Sequence, residues 1–230
     1  MKPAYQLKLD TDFISRVQKA TLSTENFGIE PTHGLFASSE WWEQIAAGKL
    51  PVVTLHGVIT RRNMGSMGDW PEIEVRSDNG EVSHWTRKVN SKEQDALYVP
   101  GQRIEIDYVV QRHRPKSFDH GSEIKEVIEI RVEPSTGADS AQNYARLRAQ
   151  ELAAAVCLNY MVIVGAAQQL GELAAVPGVM EEEARQVFTN LASEVRGATA
   201  RGKRGALTAV LEHWRQPVIE ACKRLSHSKF

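Results

Sequence analysis

Hydrophobic residues in this chain change period once, near Pro134, and that single change limits what the chain can fold into. Before Pro134 they alternate in steps of two or come in short runs broken by Gly, Asn and Pro; after it Ala, Leu, Glu, Gln and Arg dominate at helical spacing. Strand side chains alternate between two faces, whereas helix side chains return to one face about every 3.6 residues. The bridge, Pro134-Ser135-Thr136-Gly137-Ala138-Asp139-Ser140, has the composition of a linker. The pattern predicts an α+β protein in three parts: residues 1–49 as an N-terminal segment whose short helix packs on the β-domain, residues 50–134 as the β-domain, and residues 141–230 as a helical domain. A chain of 230 residues is long enough to bury a core in each.

Five segments carry strand signals. Leu50–Arg62 is rich in β-branched residues and long enough to bend at Gly57. Pro71–Ser77 alternates strictly, Ile73 and Val75 against Glu72, Glu74 and Arg76. Asp78-Asn79-Gly80 is a tight-turn signal, so Glu81–Val89 should return antiparallel as a hairpin. Gln102–Arg114 sets Ile104, Ile106 and Tyr108 against Arg103, Glu105 and Asp107, and Glu123–Pro134 follows with Ile124, Val127, Ile128, Ile130 and Val132. Ahead of them, Phe13, Val17 and Leu22 suggest an amphipathic turn or two. The segment from Ser38 to Leu50 reads as a short helix, capped by Ser39, favoured by Glu40 and Glu43 near its positive end, and stopped by Gly48.

A long bent first strand followed by a hairpin and two more strands suits a small five-stranded closed barrel. The step Tyr98-Val99-Pro100-Gly101-Gln102-Arg103-Ile104 resembles the turn into a late strand of OB-fold domains. On strand order and that step, residues 50–133 resemble an OB-fold, a barrel family that often binds single-stranded nucleic acid. A five-stranded β-sandwich or an SH3-like barrel accommodates the same strands.

Three helices are expected beyond the linker. The first covers about 141–173 and breaks at Gly165 or Gly171. The second opens at Met180-Glu181-Glu182-Glu183 and carries Val187, Leu191 and Val195 on one stripe; the third, Ala206–Leu225, is kinked by Pro217. Together they make a small helical bundle. The most apolar stretch, Leu152–Ala167, is shorter than the ~20 residues that span a membrane and is interrupted by Asn159 and Tyr160. The Ala-rich first helix is suited to packing against a second copy of itself, which would make a homodimer.

The 42% hydrophobic and 25% charged fractions exclude global disorder, and a net charge of −1 excludes a wholly basic nucleic-acid coat. Two cysteines, Cys157 and Cys222, form neither a disulfide framework nor a C-x-x-C pair, and the N-terminus has no apolar signal stretch. Both point to a reducing, cytoplasmic setting. No P-loop, nucleophile elbow or zincin motif is present. His113, Asp119 and His120 lack a recognised ligand spacing and read better as a solvated loop, and Glu181–Glu183 read better as a charged helix start than as metal carboxylates. The expectation is a chain with no catalytic residue, metal or cofactor.

Single-strand binding requires cations for the phosphates and aromatic faces for the bases. The β-domain offers Arg61 and Arg62 at the end of its first strand, Trp70 in the Gly-rich loop after it, Trp85 with Arg87 and Lys88 on the third, and Arg112, Arg114 and Lys116. Trp85 fits either an exposed groove position or a core position after a bulge. Residues 1–134 carry 17 Lys and Arg against 20 Asp and Glu, so any cationic groove there needs segregated charge. Residues 196–230 carry a net +6, with Arg201, Lys203 and Arg204 in a Gly-flanked loop apt for phosphate contact. The first expectation is therefore a non-enzymatic accessory protein holding single-stranded nucleic acid. The second is an adaptor or inhibitor that acts on a partner protein.

Overall fold

The computed structural model describes residues 1–64, 70–114, 123–134, 140–158, 163–200 and 204–227. In chain order they form β1 (Lys2–Gln6), α1 (Thr11–Ser23), α2 (Ser39–Ala46), β2 (Val52–Met64), β3 (Pro71–Ser77), β4 (Val82–Thr86), β5 (Arg103–Arg112), β6 (Glu123–Val132), α3 (Ser140–Leu158), α4 (Ile163–Ala174), α5 (Glu182–Ala200) and α6 (Arg204–His227). The fold is α+β. The strands make one open antiparallel sheet in the order β1-β6-β5-β2-β3-β4.

The expected closed five-stranded barrel gives way to this open sheet because a sixth strand joins it. β1 pairs with β6, Lys2 opposite Val132 and Tyr5 opposite Ile130, and β1 and β4 are the two edges. Proline has no N–H to give a ladder, which confines it to edges and irregularities. Pro3 meets both conditions, since β1 is an edge and its register shifts between Pro3 and Tyr5. That shift buries the neighbours Ala4 and Tyr5 together and removes the alternation that would mark a strand.

By contact density the chain forms two compact units. One comprises residues 1–59, 75–83 and 88–134, the other residues 60–74, 84–87 and 135–230. In the first, Asp10 caps α1 by accepting from the Phe13 N–H at 3.1 Å, and its other oxygen accepts from the Tyr5 hydroxyl at 3.0 Å. Ser38 caps α2, one residue before the expected Ser39. Trp41 of α2 is fully buried; its indole N–H donates to Gln111 Oε1 at 3.1 Å, and Phe36 stacks edge-on against it. Gly57 lets β2 approach β3: a Cβ there would lie 2.5 Å from the Arg76 carbonyl oxygen. The Asp78-Asn79-Gly80 turn forms as its residues require, Gly80 taking φ +91° and the Ser77 N–H donating to Glu81 O at 2.9 Å.

In the second unit, Leu152, Leu170, Phe188, Leu191, Val218 and Leu225 belong to one apolar core. The region expected to hold one broken helix before Pro177 contains α3 and α4, and among the described residues four helices follow the sheet. α4 and α5 approach closely at Gly171, where a Cβ would sit 2.4 Å from that of Ala192. α6 continues through Pro217. Among the described residues no helix is long and apolar enough to cross a membrane.

Candidate partner-binding site

In the first unit a groove of about 640 Å³ runs between the start of β2 and the β3–β4 turn, with Tyr108 of β5 and Lys125 of β6 completing its wall. Its apolar lining is Val53 and Leu55 of β2 and Val82 of β4. Branched residues on strands are usually buried, yet Val53 is 41% exposed and Val82 52%. Lys125 Nζ lies 5.4 Å from the centre of the Tyr108 ring.

Carboxylates border this lining. Asp78, Asn79 and Glu81 come from the turn, and Asp78 accepts from Arg103 at 2.9 Å. Thr54 and His56, also in the groove wall, lead to a charge network along the adjacent strands. Thr54 donates to Asp107 at 2.7 Å, and His56 Nδ1 lies 3.5 Å from Glu105. Arg131 of β6 is the hub: it donates to Glu105 at 2.9 Å, Asp107 at 2.7 Å and Glu129 at 2.6 Å. Partial burial alone would raise the Asp107 pKa, but the hydrogen bonds from Arg131 and Thr54 win and hold it below the ordinary carboxylate value. The same contacts keep Arg131 protonated. Among the residues that line the groove itself, Asp78 and Glu81 are acidic and Lys125 is basic, and Asp78 is paired with Arg103.

These acid-bordered strands lie within the part of the chain that matches a known family: residues 1–133 match immunity protein RhsI2. The chain belongs to the RhsI2 immunity protein family. Among curated proteins no match is found. Membership corrects the resemblance to OB-fold single-strand binders, and with it the first functional expectation, because the family is one of immunity proteins.

Of the cationic residues expected to line a nucleic-acid groove, Arg62, Arg87, Lys88 and Arg114 have other surroundings in this RhsI2-family chain. Arg62 and Arg87 turn inward within the second unit, their side chains 1% exposed, and close on Glu151 of α3. Arg87 donates to both Glu151 oxygens at 2.5 and 3.1 Å, Arg62 donates at 3.3 Å, and Arg148 of α3 adds a bond at 2.7 Å. Burial would raise the Glu151 pKa; the facing arginines reverse this and lower it. Lys88 is half-buried in the first unit with its Nζ 4.1 Å from the centre of the Phe13 ring. Arg114 donates to the Thr21 carbonyl at 2.8 Å and also to that of Thr24.

Arg61 and Arg112 are exposed. Trp85 is a core residue, 6% exposed, whereas Trp70 is 58% exposed with its indole N–H on Thr86 Oγ1 at 3.0 Å. Lys116, Arg201 and Lys203 lie outside the described residues, and Arg204 is the first residue of α6. Of the suspected metal ligands, His113 sits at the end of β5, while Asp119 and His120 lie outside the described residues. Glu182 and Glu183 pair with Arg185 and Arg224 in the helical unit. Among the described residues no three His, Cys, Asp or Glu side chains group in a way that could hold a metal.

Sequence reasoning passed over Val53, Glu81, Val82 and Arg131. The available signal was the Asp78-Asn79-Gly80 turn flanked by Glu81 and Val82, an apolar residue placed where a hairpin leaves its turn.

Proposed function

We propose that the chain works as its family name says, as an immunity protein: it binds a toxin protein and blocks it by occupying the toxin's surface, without chemistry of its own. The observation that carries this reading is the family match over residues 1–133, which includes every strand of the sheet. The groove supports it. Exposed branched residues next to fixed charges make a surface suited to another protein, because burying them removes apolar area from water while the charges set register.

The test is co-expression. Cells producing the toxin that the chain neutralises should survive when the chain is made with it and die when it is not. The two purified proteins should also elute together as a stoichiometric complex. A chain that neither protects nor binds would overturn the reading.

A further inference from the structure

We infer that β4 is a docking edge for a second copy of this chain: two β4 strands run antiparallel about a two-fold axis at His84, and Trp70 of each copy covers Val82 of the other. This contact lies beyond the immunity reading and does not depend on it.

Three observations carry it. The first is an open edge: among the described residues no strand lies beyond β4. Glu81 O accepts from the Ser77 N–H and the Arg87 N–H donates to Pro71 O, both at 2.9 Å, so Glu81 and Arg87 turn their backbone groups toward β3. With a period of two, Ser83 and Trp85 do the same, and Val82, His84 and Thr86 turn theirs outward. The second is that this edge is undefended. Sheets blunt exposed edges with proline and lysine; β1 carries Lys2 and Pro3, whereas Val82–Thr86 has neither. The third is self-complementarity. Antiparallel pairing centred on His84 sets Val82 opposite Thr86 of the other copy, on one face of the joined sheet. The Trp70 indole is held at Thr86 by its bond to Oγ1 at 3.0 Å, which places it beside the incoming Val82. Trp70 and Val82 are both more than half exposed, so the pairing covers two large apolar surfaces that a single copy leaves in water.

The experiment is sedimentation velocity of the full chain over a range of concentrations, with His84→Pro, Trp70→Ala and His84→Cys beside wild type and each fold checked by circular dichroism. Wild type should approach twice the chain mass as concentration rises. The His84 N–H points away from β3, so His84→Pro keeps the hairpin's own bonds and should leave only monomer. Trp70→Ala leaves the strand untouched, and so serves if the proline disturbs the fold; it should weaken dimerisation about tenfold. Paired residues that exchange both backbone bonds stand about 5.5 Å apart at Cα, within the span of a disulfide. His84→Cys should therefore give a covalent dimer under mild oxidation that wild type, with only Cys157 and Cys222, does not. Wild type that stays monomeric at every concentration would overturn the proposal, and so would a folded His84→Pro that still dimerises. A Trp70→Ala dimer as tight as that of wild type would overturn the Trp70–Val82 contact. A dimer of His84→Cys that forms without the cross-link would overturn the register.

Discussion

Two buried glutamates show how the same side chain is settled differently by its neighbours. Glu151 is 3% exposed and faces Arg62, Arg87 and Arg148, and their charges outweigh burial, so its pKa is lowered. Glu126 is 5% exposed; burial dominates and raises its pKa, with the charge of Lys88 opposing only in part. Glu151→Gln leaves buried arginines without their anion and should cost about 3–5 kcal/mol in urea unfolding at pH 7. Because its folded pKa lies below the unfolded value of about 4.3, Glu151 contributes fully above that value. The contribution is lost as pH falls through the folded pKa, so Glu151→Gln should flatten the acid limb of the stability profile. For Glu126 the sign is opposite. Its raised pKa favours the folded state at low pH, and that contribution is lost as pH rises through the folded value. Glu126→Gln should therefore gain on wild type as pH rises, and a difference that shrinks instead would show that the Lys88 charge, not burial, governs the site.

Elements whose side chains keep one period were legible in the sequence, and those whose local geometry breaks it were not. Pro71–Ser77 alternates without interruption and forms a strand with those bounds, and the turn after it follows from residues that tolerate positive φ. β1 was hidden by the register shift at Pro3, which buries two consecutive residues, and with β1 unseen the sheet lacked the strand that keeps it open. Of the candidate site, the hairpin carrying Glu81 and Val82 could be placed. Which valines stay exposed depends on what covers each face, and no strand's own pattern encodes that. The inward course of Arg62 and Arg87 was invisible for the same reason, since their partner Glu151 is 64 residues beyond Arg87. Gly57, read as a bend, also has a steric duty: a methyl group there meets the Arg76 carbonyl 2.5 Å away. Gly57→Ala should destabilise the protein by about 1–3 kcal/mol through overpacking between β2 and β3. Equilibrium unfolding measures this, and an unchanged midpoint would mean the two strands separate freely.

At the scale of the whole chain, the change of period at Pro134 and the compact units divide the sequence differently. Residues 60–74 and 84–87 of the β-region fall into the same unit as the helices. Within that unit Arg62 and Arg87 end on Glu151, so a break at residue 134 would remove the anion that two nearly fully buried guanidinium groups share. The family match, by contrast, ends at residue 133. These observations make a thermodynamic cycle informative. In the full chain, Arg87→Ala should cost about 3 kcal/mol or more, because it strips Glu151 of its closest cation and leaves buried charge uncompensated. In a fragment of residues 1–134, Glu151 is gone, while the Glu72 carbonyl, which Arg87 reaches in the full chain at 3.4 Å, remains. The same substitution there should cost less than about 1 kcal/mol. The fragment itself should unfold at a lower urea concentration than the full chain, read by circular dichroism, and the loss should not be recovered by Arg87→Ala. Equal costs of Arg87→Ala in the two backgrounds would mean that Glu151 contributes nothing to holding that arginine.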